Sequence, residues 1–248
     1  MKAFWRLALA GFAAYLLFVL MTVPAERVIR LMLPKTEALD LQAVSGTLLS
    51  GRAQRAVIEG LGIGPLAWSL RPLALLRGHL EYRLDFQDPD FRGTGVVGTG
   101  VGGHIYLHDL DVALQPDPWI NQFSPLPVKT SGDMTLRLES LEVVDGFPGE
   151  LAGRVDWSGA RIVEPAELTL GHVEATLLSE ADRLLCRISG RGESTVSGEL
   201  SLTRQGDYTM DLLLTPGSAV SVDVIDTLKT FGQARPGGAY QLTDSGRI

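Results

Sequence analysis

Apolar and polar residues alternate with a period of two along most of the chain after residue 40, and this pattern constrains the fold most. The clearest segment is residues 80–87, LEYRLDFQ, whose apolar members are Leu80, Tyr82, Leu84 and Phe86. Successive side chains of a strand point to opposite faces, so this segment predicts a strand with one apolar face. The pattern recurs in roughly ten segments separated by Gly, Pro, Asp and Ser, one of them around Leu136 and Leu138. A mainly β chain with a broad antiparallel sheet is predicted.

One later segment, from Ser218 to Phe231, has a helical pattern, with Ser218 placed to cap its start and Gly232 to end it. A sheet of ten strands is on the order of 48 Å wide, whereas one helix is about 10 Å across. A single short C-terminal helix cannot cover such a sheet. We therefore expect the sheet to fold on itself as a half-barrel or sandwich. The alternative is an apolar face partly open to an apolar ligand or a partner.

The N-terminus contains 19 uncharged residues, from Leu7 to Ala25. As a helix rising about 1.5 Å per residue, this run nearly spans the hydrocarbon core of a bilayer. Lys2 and Arg6 precede it, so the positive-inside rule predicts a cytoplasmic tail and a single transmembrane helix. Residues 1–25 are thus predicted to be tail and anchor, and residues 26–248 to lie on the far side of the membrane. Arg27, a basic residue after the run, weakens the charge asymmetry.

A cleaved signal peptide is the alternative interpretation, because small or modest residues stand at Val23 and Ala25 before a cleavage position. The apolar run is longer than the usual 7–15 residues of a signal peptide. The sequence after it continues a helical pattern, with Val28 and Leu31 on one face. Both features favour an uncleaved anchor.

Two segments of the β-region show a weak internal sequence similarity. The segment that begins at Ser45 and the segment that begins at Pro148 share a small residue with Gly, then Leu, then Gly-Arg, and then a second apolar strand. This similarity predicts two similar β-units. Two repeats are too few for a solenoid. The glycine-rich run from Arg92 to His104 predicts a flexible seam between them.

Composition excludes several classes of function. The net charge is −7 and the basic residues are scattered singly, so a nucleic-acid surface is not expected. Cys186 is the only cysteine, which rules out an internal disulfide and a cysteine-based metal site. No cofactor and no metal are predicted.

The motifs that resemble catalytic ones lack the required context. Gly93, Gly95 and Gly98 match G-x-G-x-x-G, but a strand-like segment follows where a dinucleotide site needs a helix. His104 and His108 would lie about 13 Å apart on a strand, too far apart to share a metal. Asp109 and Asp111 would share a strand face as two solvated carboxylates. A G-x-S-x-G elbow is absent, and the serines around residue 195 have no activating neighbours. The sequence does not predict an enzyme.

The region from Val44 to Leu80 resembles the signature of the type II secretion system protein N family. That signature has a V-x-G-T-L-W-x-G-x-A element, an apolar-x-W-x-L strand and a leucine-rich turn. The matching residues are Gly46, Thr47, Leu48, Gly51, Ala53, Trp68, Leu70, Pro72, Leu75 and Gly78. Leu49 departs from the pattern, because the family usually has tryptophan there. The order of anchor, signature, β-rich region, short helix and closing hairpin also agrees.

This resemblance implies a non-catalytic, single-pass inner-membrane component of the apparatus that moves folded proteins from the periplasm across the outer membrane of a Gram-negative bacterium. Its partners would be other secretion subunits in the inner membrane and periplasm. The signature residues would have structural roles.

A lipid-binding or lipid-transfer module is the alternative function. Its apolar face would form an elongated cavity lined by residues such as Leu80, Tyr82, Leu84, Phe86, Leu136 and Leu138.

Overall fold

The computed structural model describes residues 5, 11, 22–27, 39–58, 61–100, 102–123, 128–144, 146–164, 167–180, 182–218 and 220–247. Most of the predicted anchor over residues 7–25 falls outside these ranges. Among the described residues, none of the helices has the length and hydropathy needed to cross a bilayer. The chain divides into two compact units, with the boundary between Gly98 and Thr99.

The first unit is built from six strands and one four-residue helix. The helix α1 is Pro72–Leu75, and the strands are β1 Leu39–Gln42, β2 Ser45–Gly46, β3 Ser50–Ile58, β4 Leu61–Leu70, β5 Leu80–Asp88 and β6 Phe91–Thr99. The strand order is β1-β3-β4-β5-β6, and β2 pairs with β3.

The second unit contains nine strands, two helices and a short 3₁₀ segment at Pro236–Gly238. The helices are α2 Pro116–Phe123 and α3 Val222–Phe231; the strands are β7 Ile105–Leu114, β8 Lys129–Val144, β9 Phe147–Glu164, β10 Leu168–Glu180, β11 Arg183–Arg191, β12 Thr195–Thr203, β13 Asp207–Thr215, β14 Gln233–Ala234 and β15 Tyr240–Arg247. The strand order is β7-β8-β9-β10-β11-β12-β13-β15-β14. Over the described ranges the chain forms fifteen strands, whereas the sequence predicted about ten.

The mainly β prediction and the short C-terminal helix are confirmed. α3 begins at Val222 and not near Ser218, because Ser221 caps it. The side chain of Ser221 accepts a hydrogen bond from the backbone N–H of Val224 at 3.4 Å. The helix buries Val224 and Leu228, whereas Phe231, the last residue of the predicted segment, is exposed. The expectation of a single later helix was wrong, since α1 and α2 also form; each begins at a proline, which tolerates the first turn of a helix.

The glycine-rich run after Arg92 forms strand β6 as far as Thr99, where the sequence predicted a flexible seam. Val96 is buried at its centre. At the start of the strand, the rings of Phe86 and Phe91 meet edge to face, with 5.1 Å between their centroids. The interpretation of this run as a seam between domains stays a prediction.

Three glycines with positive φ form a line of irregular pairing across β8, β9 and β10. They are Gly132, Gly159 and Gly171, with φ of 112°, 62° and 77°. The register shifts beside each of them. An extra residue in a strand moves the following side chains to the opposite face, which is why Trp157 and Ala160 both reach the core although they are three positions apart.

The core of the second unit forms where α3 packs beside this line of glycines. It contains Trp157, Ala160, Leu168, Leu170, Val173, Leu214, Val224 and Leu228. Ile120 of α2 packs against the same cluster. The two helices therefore cover one end of the apolar face of the sheet.

We predict that Gly171→Ala destabilises the second unit by about 2–4 kcal/mol, because it combines a positive φ with a steric clash. A Cβ at this position would lie 2.8 Å from the carbonyl oxygen of Arg191. Gly146→Ala is the matched control, since Gly146 has the same φ of 77° with no atom within 4 Å of the added Cβ. Urea unfolding followed by tryptophan fluorescence measures both. Equal losses would contradict the role assigned to the close packing.

Candidate functional site

Cross-strand pairing in the first unit brings the predicted apolar residues and the signature residues onto one face. Residues directly opposite each other in an antiparallel pair point to the same side of the sheet. Across β3, β4 and β5 the rows are Gly51, Trp68 and Leu84, then Ala53, Leu66 and Phe86; Leu70 pairs with Tyr82. The predicted apolar residues of β5 and the signature residues of β3 and β4 therefore form one surface, named here the first apolar face.

Burial changes along the first apolar face. Phe86 is 6% exposed and Ala53 is also buried, whereas Tyr82 and Leu84 are half-buried and Leu80 is 40% exposed. Burial raises the pKa of the Tyr82 phenol, because a phenolate would lose solvation there. The face is closed near the β5–β6 turn and open near α1.

The signature residues build a corner at the end of β4. Trp68 donates its indole N–H to the carbonyl of Thr47 at 3.2 Å. Gly51 lies directly under the indole ring, since a Cβ there would come within 2.4 Å of it. Gly46 has φ of 92°, and a Cβ there would lie 2.6 Å from the carbonyl oxygen of Ser50. These glycines are needed for a tight turn and for a close aromatic contact.

Leu49, which replaces the tryptophan of the family pattern, contributes its backbone to this corner. Its carbonyl accepts from the N–H of Leu70 at 2.7 Å. The side chains of Leu48 and Leu49 are half-buried. The corner thus forms without an aromatic ring at position 49.

An open cleft of about 830 Å³ runs beside this corner. Its walls include Gly51, Ala53, Leu66 and Trp68 from the first apolar face, together with the polar side chains of Arg52 and Gln54. A second cleft of about 650 Å³ in the other unit is bordered mainly by charged and polar side chains such as Arg187, Glu199 and Asp211. The first cleft has an aromatic wall, from Trp68, whereas Leu213 is the large aliphatic side chain at the second.

The turn between β4 and β5 exposes leucines. Pro72 occupies the first turn of α1, and Gly78, with φ of 77°, lets the chain reverse into β5. Both signature residues therefore shape this turn. Leu73, Leu75 and Leu76 are exposed on it.

The apolar face of the second unit, named here the second apolar face, consists of three rows that cross the sheet. The row nearest α3 contains Trp157, Val173 and Leu214. The middle row is Val112, Leu136, Val155, Ala175, Ile188, Gly198, Leu212 and Leu242, and the far row is Leu110, Leu138, Gly153, Leu177, Cys186, Leu200 and Met210.

The middle and far rows are only partly covered. Leu138 is buried, and its side chain lies over Gly153, where a Cβ would come within 2.4 Å of it. Leu136, Leu177, Leu200 and Leu212 are half-buried. The structure places the predicted residues Leu136 and Leu138 here, in a different unit from Leu80 to Phe86.

Ionisable groups on the opposite, polar face form ion pairs. Arg187 contacts Glu180 and Glu199 at 3.1 and 3.0 Å, and these carboxylates raise the pKa of its guanidinium. Arg137 contacts Asp111 and Asp156, each at 3.4 Å. Such exposed pairs contribute little to stability and keep the face soluble.

The two histidines tested above as a metal pair, His104 and His108, contact different carboxylates. His104 lies one residue before β7 and contacts Glu142 at 3.0 Å, whereas His108 contacts Asp109 at 2.9 Å. Asp111, which the sequence paired with Asp109, contacts Arg137 instead. Neither pair has the arrangement of a catalytic site.

One group of side chains among the described residues has the spacing of metal ligands. Asp156, His172 and Glu174 offer ligand atoms within 4.8 Å of one another, a group that sequence spacing did not indicate because pairing of β9 with β10 creates it. His172 and Glu174 are about half exposed, and Arg137 already contacts Asp156. An exposed trio next to a bound arginine is better explained as part of the polar face.

Cys186 lies in the far apolar row between Leu177 and Leu200. Burial raises the pKa of its thiol. A thiol with a raised pKa is mostly protonated near neutral pH and is a poor nucleophile.

The G-x-G-x-x-G glycines lie within β6, and the next described element is strand β7 rather than a helix.

We predict that Trp68→Ala lowers the stability of the first unit by about 2–4 kcal/mol, because it uncovers Gly51 and removes a large side chain. Trp68→Phe keeps a ring over Gly51 but loses the hydrogen bond to Thr47, and should cost only about 1–2 kcal/mol. Thermal unfolding of the two variants measures the difference. An unchanged midpoint for Trp68→Ala would show that the corner does not depend on the indole.

Comparison with known proteins agrees with this signature. The family described as Type II secretion system (T2SS), protein N matches residues 37–243. A Type II secretion system protein N of Aeromonas hydrophila is 30% identical over 242 residues, covering 95% of each chain. The protein of the same name from Vibrio cholerae is 27% identical over 225 residues, covering 87% of this chain and 88% of the relative. No solved structure gives a significant match.

The resemblance seen in the sequence is therefore confirmed over most of the chain's length. The signature corner at Gly46, Gly51 and Trp68 falls inside the matched region. The chain belongs to the type II secretion system protein N family.

Proposed function

We propose that the protein is a non-catalytic inner-membrane component of the type II secretion system. In this proposal its β-region lies in the periplasm and acts as a scaffold for other secretion subunits during export across the outer membrane. Membership of the family carries the proposal. The middle and far rows of the second apolar face support it, because their half-buried leucines offer a surface that a protein partner would bury.

The membrane anchor in this proposal is the uncharged run from Leu7 to Ala25. Its length suits a single crossing. Lys2 and Arg6 favour a cytoplasmic N-terminus and a periplasmic position for residues 26–248.

A scaffold needs a surface that remains available after folding. The helices α2 and α3 pack at the row that contains Trp157 and Leu214. Leu136 and Leu212, in the middle row, keep part of their surface in solvent. A partner that supplies apolar side chains would gain roughly 25 cal/mol for each Å² removed from water.

A lipid-handling module is the second candidate. The same two rows support it, since their aliphatic side chains lie side by side over several strands with polar groups on the other face. Acyl chains need a long apolar surface of this kind and few directional contacts. The occupant of the rows in the cell distinguishes the two functions.

We expect a photocrosslinking amino acid at Leu212, on the second apolar face, to react with another secretion subunit in living cells. Asp211 is the matched control, because it is adjacent in β13 and points to the polar face. Mass spectrometry identifies the adducts. A lipid adduct at Leu212 would favour the lipid-handling function, and adducts confined to Asp211 would contradict both.

We also predict that Leu212→Glu lowers binding to that partner by about tenfold or more, since an unpaired carboxylate would be buried in the interface. Secretion of the exported proteins should fall with it. Thr243→Glu is the control, because Thr243 is exposed and pairs with Asp211 on the polar face. Normal secretion by a folded, normally abundant Leu212→Glu protein would count against the scaffold surface.

A further inference from the structure

The turn from Arg71 to His79, named here the leucine turn, displays three large apolar side chains to solvent. Leu73, Leu75 and Leu76 are 76%, 49% and 84% exposed, while Ala74 is the buried residue of α1. Exposed leucines that occur singly are common, but three within four residues on one protruding turn indicate a surface that binds something.

Backbone hydrogen bonds fix the leucine turn in this conformation. The N–H of Arg71 donates to the carbonyl of Glu81 at 2.8 Å, and the two side chains form an ion pair at 2.9 Å. The N–H groups of Arg77 and Gly78 donate to the carbonyls of Ala74 and Leu75 at 2.9 and 3.1 Å. The leucines are therefore held outward by a closed turn.

Backbone contacts through the turn between β2 and β3 link the end of the apolar N-terminal run to this turn. Pro24 forms an antiparallel bridge with Thr47, and Ala25 is fully buried. Two residues after Thr47, the carbonyl of Leu49 accepts from Leu70, the residue immediately before the leucine turn. The end of the apolar run, at Pro24, is thus connected through backbone contacts at Thr47 and Leu49 to Leu70, which lies just before the leucine turn.

The charges of the leucine turn suit an anionic bilayer. The nine residues from Arg71 to His79 include Arg71 and Arg77 and contain no carboxylate. Arg71 already contacts Glu81, so Arg77 is the arginine placed to reach lipid phosphates. Leucines that enter the headgroup region beside such a basic residue are a common means of interfacial binding. The first apolar face opens toward this same end, where Leu80 is 40% exposed.

We propose that the leucine turn inserts into the membrane interface beside the anchor and holds the first unit against the bilayer. This inference rests on the proposed anchor, because residues 24 and 25 carry the chain from the membrane to this end of the unit. A bilayer is favoured over a protein partner because these backbone contacts lead from the end of the proposed anchor to the turn. The expected depth is about 5–10 Å, at the boundary between headgroups and acyl chains.

The test uses the full chain with Cys186→Ala, so that one added cysteine carries an environment-sensitive fluorophore. Leu76→Cys places the label on the leucine turn. Asp90→Cys is the control, because Asp90 is exposed at the opposite end of β5 in the same unit. Both proteins are reconstituted into vesicles of phosphatidylethanolamine and phosphatidylglycerol, with or without nitroxide-labelled lipid.

We expect nitroxide lipid to lower the emission of the Leu76 label about twofold or more, and to leave the Asp90 label unchanged, because quenching requires contact with the bilayer. Adding Leu73→Asp should reduce the quenching at position 76. Flotation of the vesicles reports separately on the anchor.

Two results would overturn the inference while leaving the anchor intact. In one, the chain floats with the vesicles and the Leu76 label is quenched no more than the Asp90 label. In the other, the Leu76 label is shielded from water but not quenched by lipid, which would indicate a second copy or another part of the chain on the turn. A chain that does not float would instead remove the proposed anchor, and this inference with it.

Discussion

The structure depends on the matching of apolar residues across paired strands. In the second unit, neighbouring strands are in register so that aliphatic and aromatic side chains meet one another row by row, from Val112 to Leu242 in the middle row. A slip of one residue in any pair would bring charged side chains such as Arg187 to the apolar side. Both the candidate partner surface and the solubility of the opposite face follow from this register.

Glycine makes the register compatible with a bent sheet. Gly132, Gly159 and Gly171 lie where the register shifts between β8, β9 and β10, and the extra residues, in β9 and β10, let Trp157 and Ala160 share one core. In the first unit, Gly51 serves a different need, because it makes room for the ring of Trp68. These glycines therefore either make room for large neighbours or allow the backbone to change direction.

Strand positions were accessible from the sequence because period-two alternation is a local signal. The segments around Leu84 and Leu136 are strands as predicted. The bulges were not accessible, since they depend on pairing between strands, and the short helix from Pro116 has too few turns for a periodic pattern. The exposure of Leu76 and the half-burial of Leu212 could not be predicted from the sequence either, because exposure depends on what packs above a residue and not on its own identity.

The strand order within the second unit has a consequence for how the protein is made. From β8 to β13, each strand pairs with the strand that precedes it in the sequence. The sheet can therefore grow hairpin by hairpin from its N-terminal side, without waiting for a distant segment, because loop closure between adjacent strands costs little entropy. A chain that emerges into a new compartment from its N-terminal end would have the partner for each strand already in place.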